Sequence, residues 1–372
     1  MERMIQADNL SHRERLFLRL VGLSVSDGGA LEERPSPAEW EFIFSEARRQ
    51  ALTGVLFATV ERLPSEERPP RQVLLQWYAL AEKIRQTNAV LDKEAVKVVR
   101  FLEEKGMPAV LLKGQGVARL YPDPSLRQSG DIDVWVMAKR EKTMGLARSF
   151  DRNAPETLLH TELAVSDKAM VEAHFMPSFS YNPFRHRAMQ RLFSQFKDDA
   201  LGNKIKLGAE GGEVAVPTLA MNRVYLLVHL YRHFFDEGVG LRQLMDYYFC
   251  LRQGFTEREA EATRICIERI GLTRFAQAVI WLLVEVWNLP QSCCFLPPAP
   301  KQGKRLLAEV LEAGNFGHER LGQKRNSHEG KAGKFCRKTL RNWHFLIDYP
   351  SEVVFDVPFR LCHYIWRMAK RR

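Results

Sequence analysis

The sequence predicts an α+β protein, with a small sheet and its own helices flanked by helical regions on both sides. Three observations lead to this class. Apolar residues recur at every third or fourth position through much of the first 104 residues and again from residue 219 onward, which is the helical period. Between these regions, short runs rich in β-branched and aromatic residues alternate with turn residues, as strands do. At 372 residues, 45% hydrophobic and 27% charged, the chain is an ordinary globular protein long enough for two or three packed units. The expected division is a helical region over 1–105, a core over 106–215 and a helical domain over 216–372.

In the first region, Ser36-Pro37-Ala38-Glu39 is a capping box with proline at the first helical position, followed by an apolar stripe from Trp40 to Leu56. Gly54 is expected to split this helix. A second, long helix runs from Gln72 to Glu104 and is ended by Gly106 and Pro108. The plain reading is a helical cover over the sheet.

The core opens with Ala109-Val110-Leu111-Leu112, a buried strand that ends in the Lys113-Gly114-Gln115-Gly116 turn. A short helix follows to Tyr121, stopped by Pro122 and Pro124. The second strand is Asp131-Ile132-Asp133-Val134-Trp135-Val136. Side chains alternate along a strand, so Asp131 and Asp133 share one face. A basic helix spans 139–150. Residues 157–165 and 169–175 read as two strands joined at Ser166-Asp167-Lys168, with Glu172 and His174 on one face of the second. The polar, glycine-containing stretch 182–213 reads as a loop or an irregular hairpin.

Thr218 caps a helix to about Phe235, in which His229 and His233 stand one turn apart. Arg242 and Asp246 have the spacing of a structural ion pair. Thr256-Glu257-Arg258-Glu259 is another capping box, and helices follow to Ile270 and over 273–287. Four prolines between 290 and 300 form a rigid connector before a helix over 304–313. The basic stretch 314–338 reads as a solvated loop or as a clamp on an anionic acceptor. The last helix, 358–372, is amphipathic, and its Lys370-Arg371-Arg372 end suits either the helix dipole or an acidic membrane surface.

The net charge of +10 favours anionic partners without choosing among nucleotides, sugar phosphates, nucleic acid and acidic membranes. Six scattered cysteines lack the spacing of a zinc site. The start, Met1 to Gln6, lacks the apolar core of a signal peptide, so a cytoplasmic location with free thiols is expected. The most apolar segment, 275–289, falls short of the roughly 20 residues that span a bilayer and contains Glu285.

Two carboxylates side by side repel unless a cation lies between them, so Asp131 and Asp133 point to a hard divalent metal. The glycine turn at Gly114 can bring backbone N–H groups close to a phosphate. From the residues alone, the bland readings also stand. The Asp pair can be a solvated strand end, Glu172 an exposed strand residue, and His229 with His233 core residues or a metal pair without a third ligand.

The string LLKGQGVARLYPDPSLRQSGDIDVWV carries a Leu-Lys-Gly, a Tyr-Pro-x-Pro, an Arg and a Gly-Asp-Ile-Asp in that order. In this it resembles a bacterial family of uncharacterised nucleotidyltransferases within the DNA polymerase β-type superfamily. The similarity extends through Val171 to Phe175, His229, His233, Arg242 and Asp246, and so over most of the chain. The resemblance implies a polymerase β-type sheet and transfer of a nucleoside monophosphate from an NTP, ATP first among them, to an acceptor hydroxyl with release of pyrophosphate. It implies Mg²⁺, or Mn²⁺ in its place, on Asp131, Asp133 and Glu172, which are also the catalytic residues. Lys113, Gly114, Gln115, Gly116, Arg127, Ser129 and Gly130 would contact the nucleotide, and His174, His229 and His233 would line the acceptor side. The acceptor is not legible; nucleic acid is admitted but not favoured. Gln115 departs from the superfamily, which usually has Gly or Ser there. That departure sustains a second reading, a non-catalytic nucleotide- or nucleic-acid-binding module on the same fold.

Overall fold

The computed structural model describes residues 10–26, 29–208, 212–314 and 331–370. Met1 to Gln6, Lys324, Arg325, Arg371 and Arg372 lie outside the described residues. Helix α1 (His12–Leu23) starts on a Ser11–Glu14 capping box, and α2 (Pro37–Arg49) on the expected Ser36–Glu39 box. The next helix, α3 (Thr53–Arg62), is separated from α2 at Gln50 to Leu52, where Ala51 takes a positive φ of 54°. Gly54 therefore does not make the break. Its role is contact: a Cβ there would lie 2.3 Å from the Leu126 carbonyl oxygen.

Helix α4 (Arg71–Glu104) is 34 residues long and serves two cores. Its first half puts Val73, Trp77 and Ala81 among the helices of the larger core. Its second half packs Leu91, Ala95, Val98, Val99 and Leu102 on the sheet.

The sheet has four strands in the order β1 (Ala109–Leu111), β2 (Ile132–Val136), β4 (Val171–His174), β3 (His160–Glu162). Only β2 and β4 are parallel; both outer pairs are antiparallel. The pleat divides each strand between the two cores. Ile132, Val134 and Val136 face α4, whereas Trp135 faces the larger core, and Asp133 shares the side of Trp135. Short α5 (Gln115–Ala118) follows β1, and α6 (Arg140–Phe150) follows β2. Strands β3 and β4 are shorter than expected, joined through 163–170.

The stretch 182–213 corrects the sequence reading. Residues up to 202 form α7 (Pro183–Gln195) and α8 (Lys197–Gly202), and only then come β5 (Lys204–Leu207) and β6 (Gly212–Ala215), a separate antiparallel pair. Asn182 caps α7 with Pro183 at its first position, and Met189, Leu192 and Phe193 bury one face. The arginines of the same helix, Arg185, Arg187 and Arg191, hid that stripe.

Helices α9 (Leu219–Asp236), α10 (Leu241–Arg252), α11 (Glu257–Arg269), α12 (Thr273–Trp287) and α13 (Pro300–Ala313) build the larger core with α1 to α3. Thr218 and Thr256 cap α9 and α11 as expected. α13 starts earlier than expected because Pro300 occupies its first turn. From residue 331 the chain is helical, α14 (Lys331–Trp343), where a loop was one of the expected alternatives; residues 315–330 lie outside the described part. The last helix, α15 (Pro350–Lys370), begins eight residues before Pro358 and runs through it. Proline is tolerated there at the cost of one backbone hydrogen bond. Among the described residues, no helix is long and apolar enough to cross a membrane, and all six cysteines are free thiols.

Candidate functional site

Asp133 sits at the centre of a charged cluster on the sheet. In the parallel β2–β4 pair its register partner is Glu172, so the two side chains leave the sheet on the same face. Asp131 precedes β2 by one residue. One oxygen from each of Asp131, Asp133 and Glu172 lies within 4.8 Å of the others. His174, two residues beyond Glu172, places Nε2 2.9 Å from Asp133 Oδ1 and 3.3 Å from Glu172 Oε2. Both neighbours are acceptors, so this nitrogen carries the proton. Lys113, from the turn after β1, brings its Nζ to 3.2 Å from Asp133 Oδ2.

The electrostatics follow from this packing. Burial works to raise the Asp133 carboxyl, but the Lys113 charge and the His174 hydrogen bond outweigh it and hold it below the usual range. Burial likewise opposes Glu172, whose carboxyl is lowered by the His174 hydrogen bond and the neighbouring His160. The same contacts seen from the cations give the opposite shifts. Burial disfavours charge on His174 and Lys113, yet the carboxylates raise both above their ordinary values. Three carboxylates thus face one ammonium and one readily protonated imidazole. That donor set, three hard oxygens gathered from two strands and partly neutralised by protein cations, fits Mg²⁺ or Mn²⁺.

His160 was not foreseen. It is the register partner of His174 across β3–β4, and its Nδ1 lies 3.4 Å from Glu172 Oε2. His160, Glu172 and His174 form a second group with the spacing of metal ligands. The only sequence signal was a histidine in each of two adjacent predicted strands. Burial lowers the His160 pKa against the pull of Glu172.

A cavity of about 640 Å³ opens over Asp131, Glu172 and His174 and continues under α9, where Tyr225, His229 and His233 line it. The rings of His229 and His233 are 4.3 Å apart at their centroids, as their spacing predicts. Burial, then the Lys113 and His233 charges, keep His229 well below the ordinary imidazole value, so it is neutral. A second cavity, of about 340 Å³, adjoins Lys113 and Asp131 from the other side and is bordered by Gly114, Ser129 and Gly130. Lys113 and Asp131 line both cavities, and Glu172 lines the larger one.

Two expected nucleotide contacts are placed differently from the rest. Arg127 is buried and donates from Nε and Nη2 to the two oxygens of Asp246, at 2.6 and 2.7 Å, and from Nη1 to Ser129 Oγ at 2.8 Å. Tyr121 donates to Asp246 as well, at 2.7 Å. Asp246 is therefore the partner of Arg127 first, with Arg242 farther off at 3.6 Å. Gln115 is buried, and neither its Oε1 nor its Nε2 has a hydrogen-bond partner. Gly114, just before it, adopts φ 60° and ψ −117°, a conformation open to glycine.

Comparison with known proteins gives this geometry a setting. The sequence model of a family described as uncharacterised nucleotidyltransferase matches residues 36–288. Among solved structures, the chain is similar to an antigenic nucleotidyltransferase-like protein from Paracoccidioides brasiliensis, at 14% identity and a TM-score of 0.29, over 59% of this chain and 96% of that one. No curated protein sequence matches.

Proposed function

The chain belongs to the uncharacterised nucleotidyltransferase family, and from that premise we propose that it transfers a nucleoside monophosphate from an NTP to an acceptor hydroxyl, with Mg²⁺ or Mn²⁺ on Asp131, Asp133 and Glu172. The observation that carries this reading is the convergence of those three carboxylates beside Lys113. A bound divalent ion supplies charge neutralisation for the triphosphate and lowers the pKa of a coordinated hydroxyl. The acceptor oxygen attacks the α-phosphorus, the bond to the β-phosphate breaks, and pyrophosphate leaves with the electron pair.

The residues of this chain divide the remaining work. Glu172 is half-buried at the cavity floor, and its carboxylate accepts the proton released by the hydroxyl. His174 bridges Asp133 and Glu172 and fixes their orientation. Lys113 holds positive charge at the junction of the two cavities, where phosphate oxygens approach. Gly114 leaves room for phosphate beside the backbone, while Ser129 and Gly130 form the facing rim. Arg127, locked onto Asp246, acts by holding Ser129 in place. His229, neutral and facing the cavity, contacts the acceptor without adding charge.

The test is incubation of the purified protein with α-labelled NTPs, Mg²⁺ or Mn²⁺ and a cell extract. Label carried onto an acceptor, and lost with Asp131→Asn plus Asp133→Asn, supports transfer. Nucleotide binding with no product supports a binding module, the reading that Gln115 in place of Gly or Ser favours.

A further inference from the structure

A third cavity, of about 620 Å³, lies between α2 and α4, and it joins the one at Gly114: Ala51, Gln128 and Ser129 line both. Together they make a groove running from the carboxylates, past Ser129, to Arg48 and Lys83. The lining of the α2–α4 part includes three cations, Arg48, Arg49 and Lys83, and no carboxylate. Arg49 is tied to Glu46, at 2.9 Å from its Nε, so Arg48 and Lys83, both exposed, supply the charge. At the bend, Gln128 Oε1 is buried without a hydrogen-bond partner.

The cavity on the opposite side of the carboxylates has a different character. Four carboxylates and four cations line it. Its cations are engaged: Arg232 with Glu352, Lys338 with Asp236 at 2.5 Å, and Arg360 with Asp356 at 2.7 Å. Phe179 and Phe359 stack there with centroids 5.3 Å apart. A polyphosphate entering this side meets cations already held by carboxylates, whereas the α2–α4 part of the groove, beyond Asp131, is lined by cations alone among charged residues, which draws anions along it.

Resting on the transferase reading, we propose that the nucleoside triphosphate lies in the groove from Lys113 past Ser129 to Arg48 and Lys83. The acceptor, an uncharged compound carrying a ring, enters the opposite cavity between α9 and α15. The family match supports the division. Every lining residue of the groove lies within 36–288, whereas Lys338, Phe359, Arg360 and His363 of the opposite wall lie beyond it. The part shared by the family holds the shared substrate, and the C-terminal helices select the acceptor.

The experiment is equilibrium binding of the labelled α,β-methylene analogues of the four NTPs, with Mg²⁺, to the full chain. Arg48→Glu with Lys83→Glu is expected to weaken binding at least tenfold and to flatten its salt dependence. Phe359→Ala with His363→Ala is expected to leave it within twofold. All four positions lie at the surface or partly exposed, and unchanged circular dichroism checks the fold. Wild-type affinity in the Arg48/Lys83 variant, or a tenfold loss in the Phe359/His363 variant, overturns the assignment of sides while leaving transfer standing. A wild-type chain that binds none of the four analogues overturns the transferase reading and this assignment with it.

Discussion

Asp133 and Glu172, 39 positions apart in the chain, are side-by-side partners in the parallel β2–β4 pair, and His174 Nε2 reaches both at 2.9 and 3.3 Å. Among the described residues, the carboxylate grouped with this pair at metal-ligand spacing is Asp131, one residue before β2. This relationship leads to the first prediction. In metal-free protein the three carboxylates repel one another, so Asp131→Asn leaves thermal stability unchanged or raises it. Transfer falls by more than the roughly tenfold to hundredfold lost with outer partners of a metal. A melting curve and a labelled-NTP assay on the same preparation read both effects.

Asp133→Asn behaves differently because Asp133 is buried between Lys113 and His174. Removing its charge leaves two cations facing a neutral amide, so its melting temperature drops below that of Asp131→Asn. Equal melting temperatures for the two variants contradict the central position given to Asp133.

Added Mg²⁺ or Mn²⁺ stabilises only the form that binds it. The wild-type melting temperature therefore rises with metal concentration, and Glu172→Gln reduces the rise. Differential scanning fluorimetry across a metal titration measures it; an equal rise in the variant removes Glu172 from the ligand set.

The Arg127–Asp246 pair is a matter of stability before it is one of substrate. Arg127→Met leaves a buried carboxylate without its main partner and costs about 3–5 kcal/mol. Arg127→Met with Asp246→Leu restores much of that loss, because a matched apolar pair carries no stranded charge. Urea unfolding of both variants distinguishes this from a direct phosphate contact, which would leave stability alone.

Acid weakens the same pair. Burial works to raise the Asp246 carboxyl, but Arg127 outweighs it and holds the pKa below the ordinary value. A carboxyl lowered on folding contributes stability that is complete above its unfolded value, about 4, and is lost as pH falls through the lower folded value. Unfolding free energy is therefore expected to fall below about pH 4, and Arg127→Met with Asp246→Leu to show a shallower fall.

Gly54→Ala tests the contact between α3 and the backbone at Leu126. The added Cβ meets the Leu126 carbonyl at 2.3 Å, so α3 or the segment at Leu126 must move, at a cost of about 1–3 kcal/mol. Gly145→Ala on α6, where a Cβ meets nothing within 4 Å, is the control. Thermal melts of the two variants should separate clearly.

Much of the architecture was legible in the chain because it is written as local period. The capping boxes at Ser36 and Thr256, the long α4 and the Thr218 cap stand where the pattern puts them. So does the strand after Asp131. The misses have local causes too. In α7, Arg185, Arg187 and Arg191 masked the narrow stripe of Met189, Leu192 and Phe193. In α15, Pro358 looked like a start but lies inside.

By itself the sequence determined most of the helices, the strands that carry Asp133 and Glu172, and that Asp131 and Asp133 alternate with apolar neighbours, because a residue's burial within one element repeats at fixed spacing. Tertiary structure alone decided that β4 lies between β2 and β3, parallel to the first and antiparallel to the second, which sets Glu172 beside Asp133 and His160 beside His174. It also decided that Arg127 turns to Asp246, 119 residues away. The physical reason is that strand order and buried ion pairs are chosen by competition among distant surfaces for burial, and that competition leaves no period in the chain.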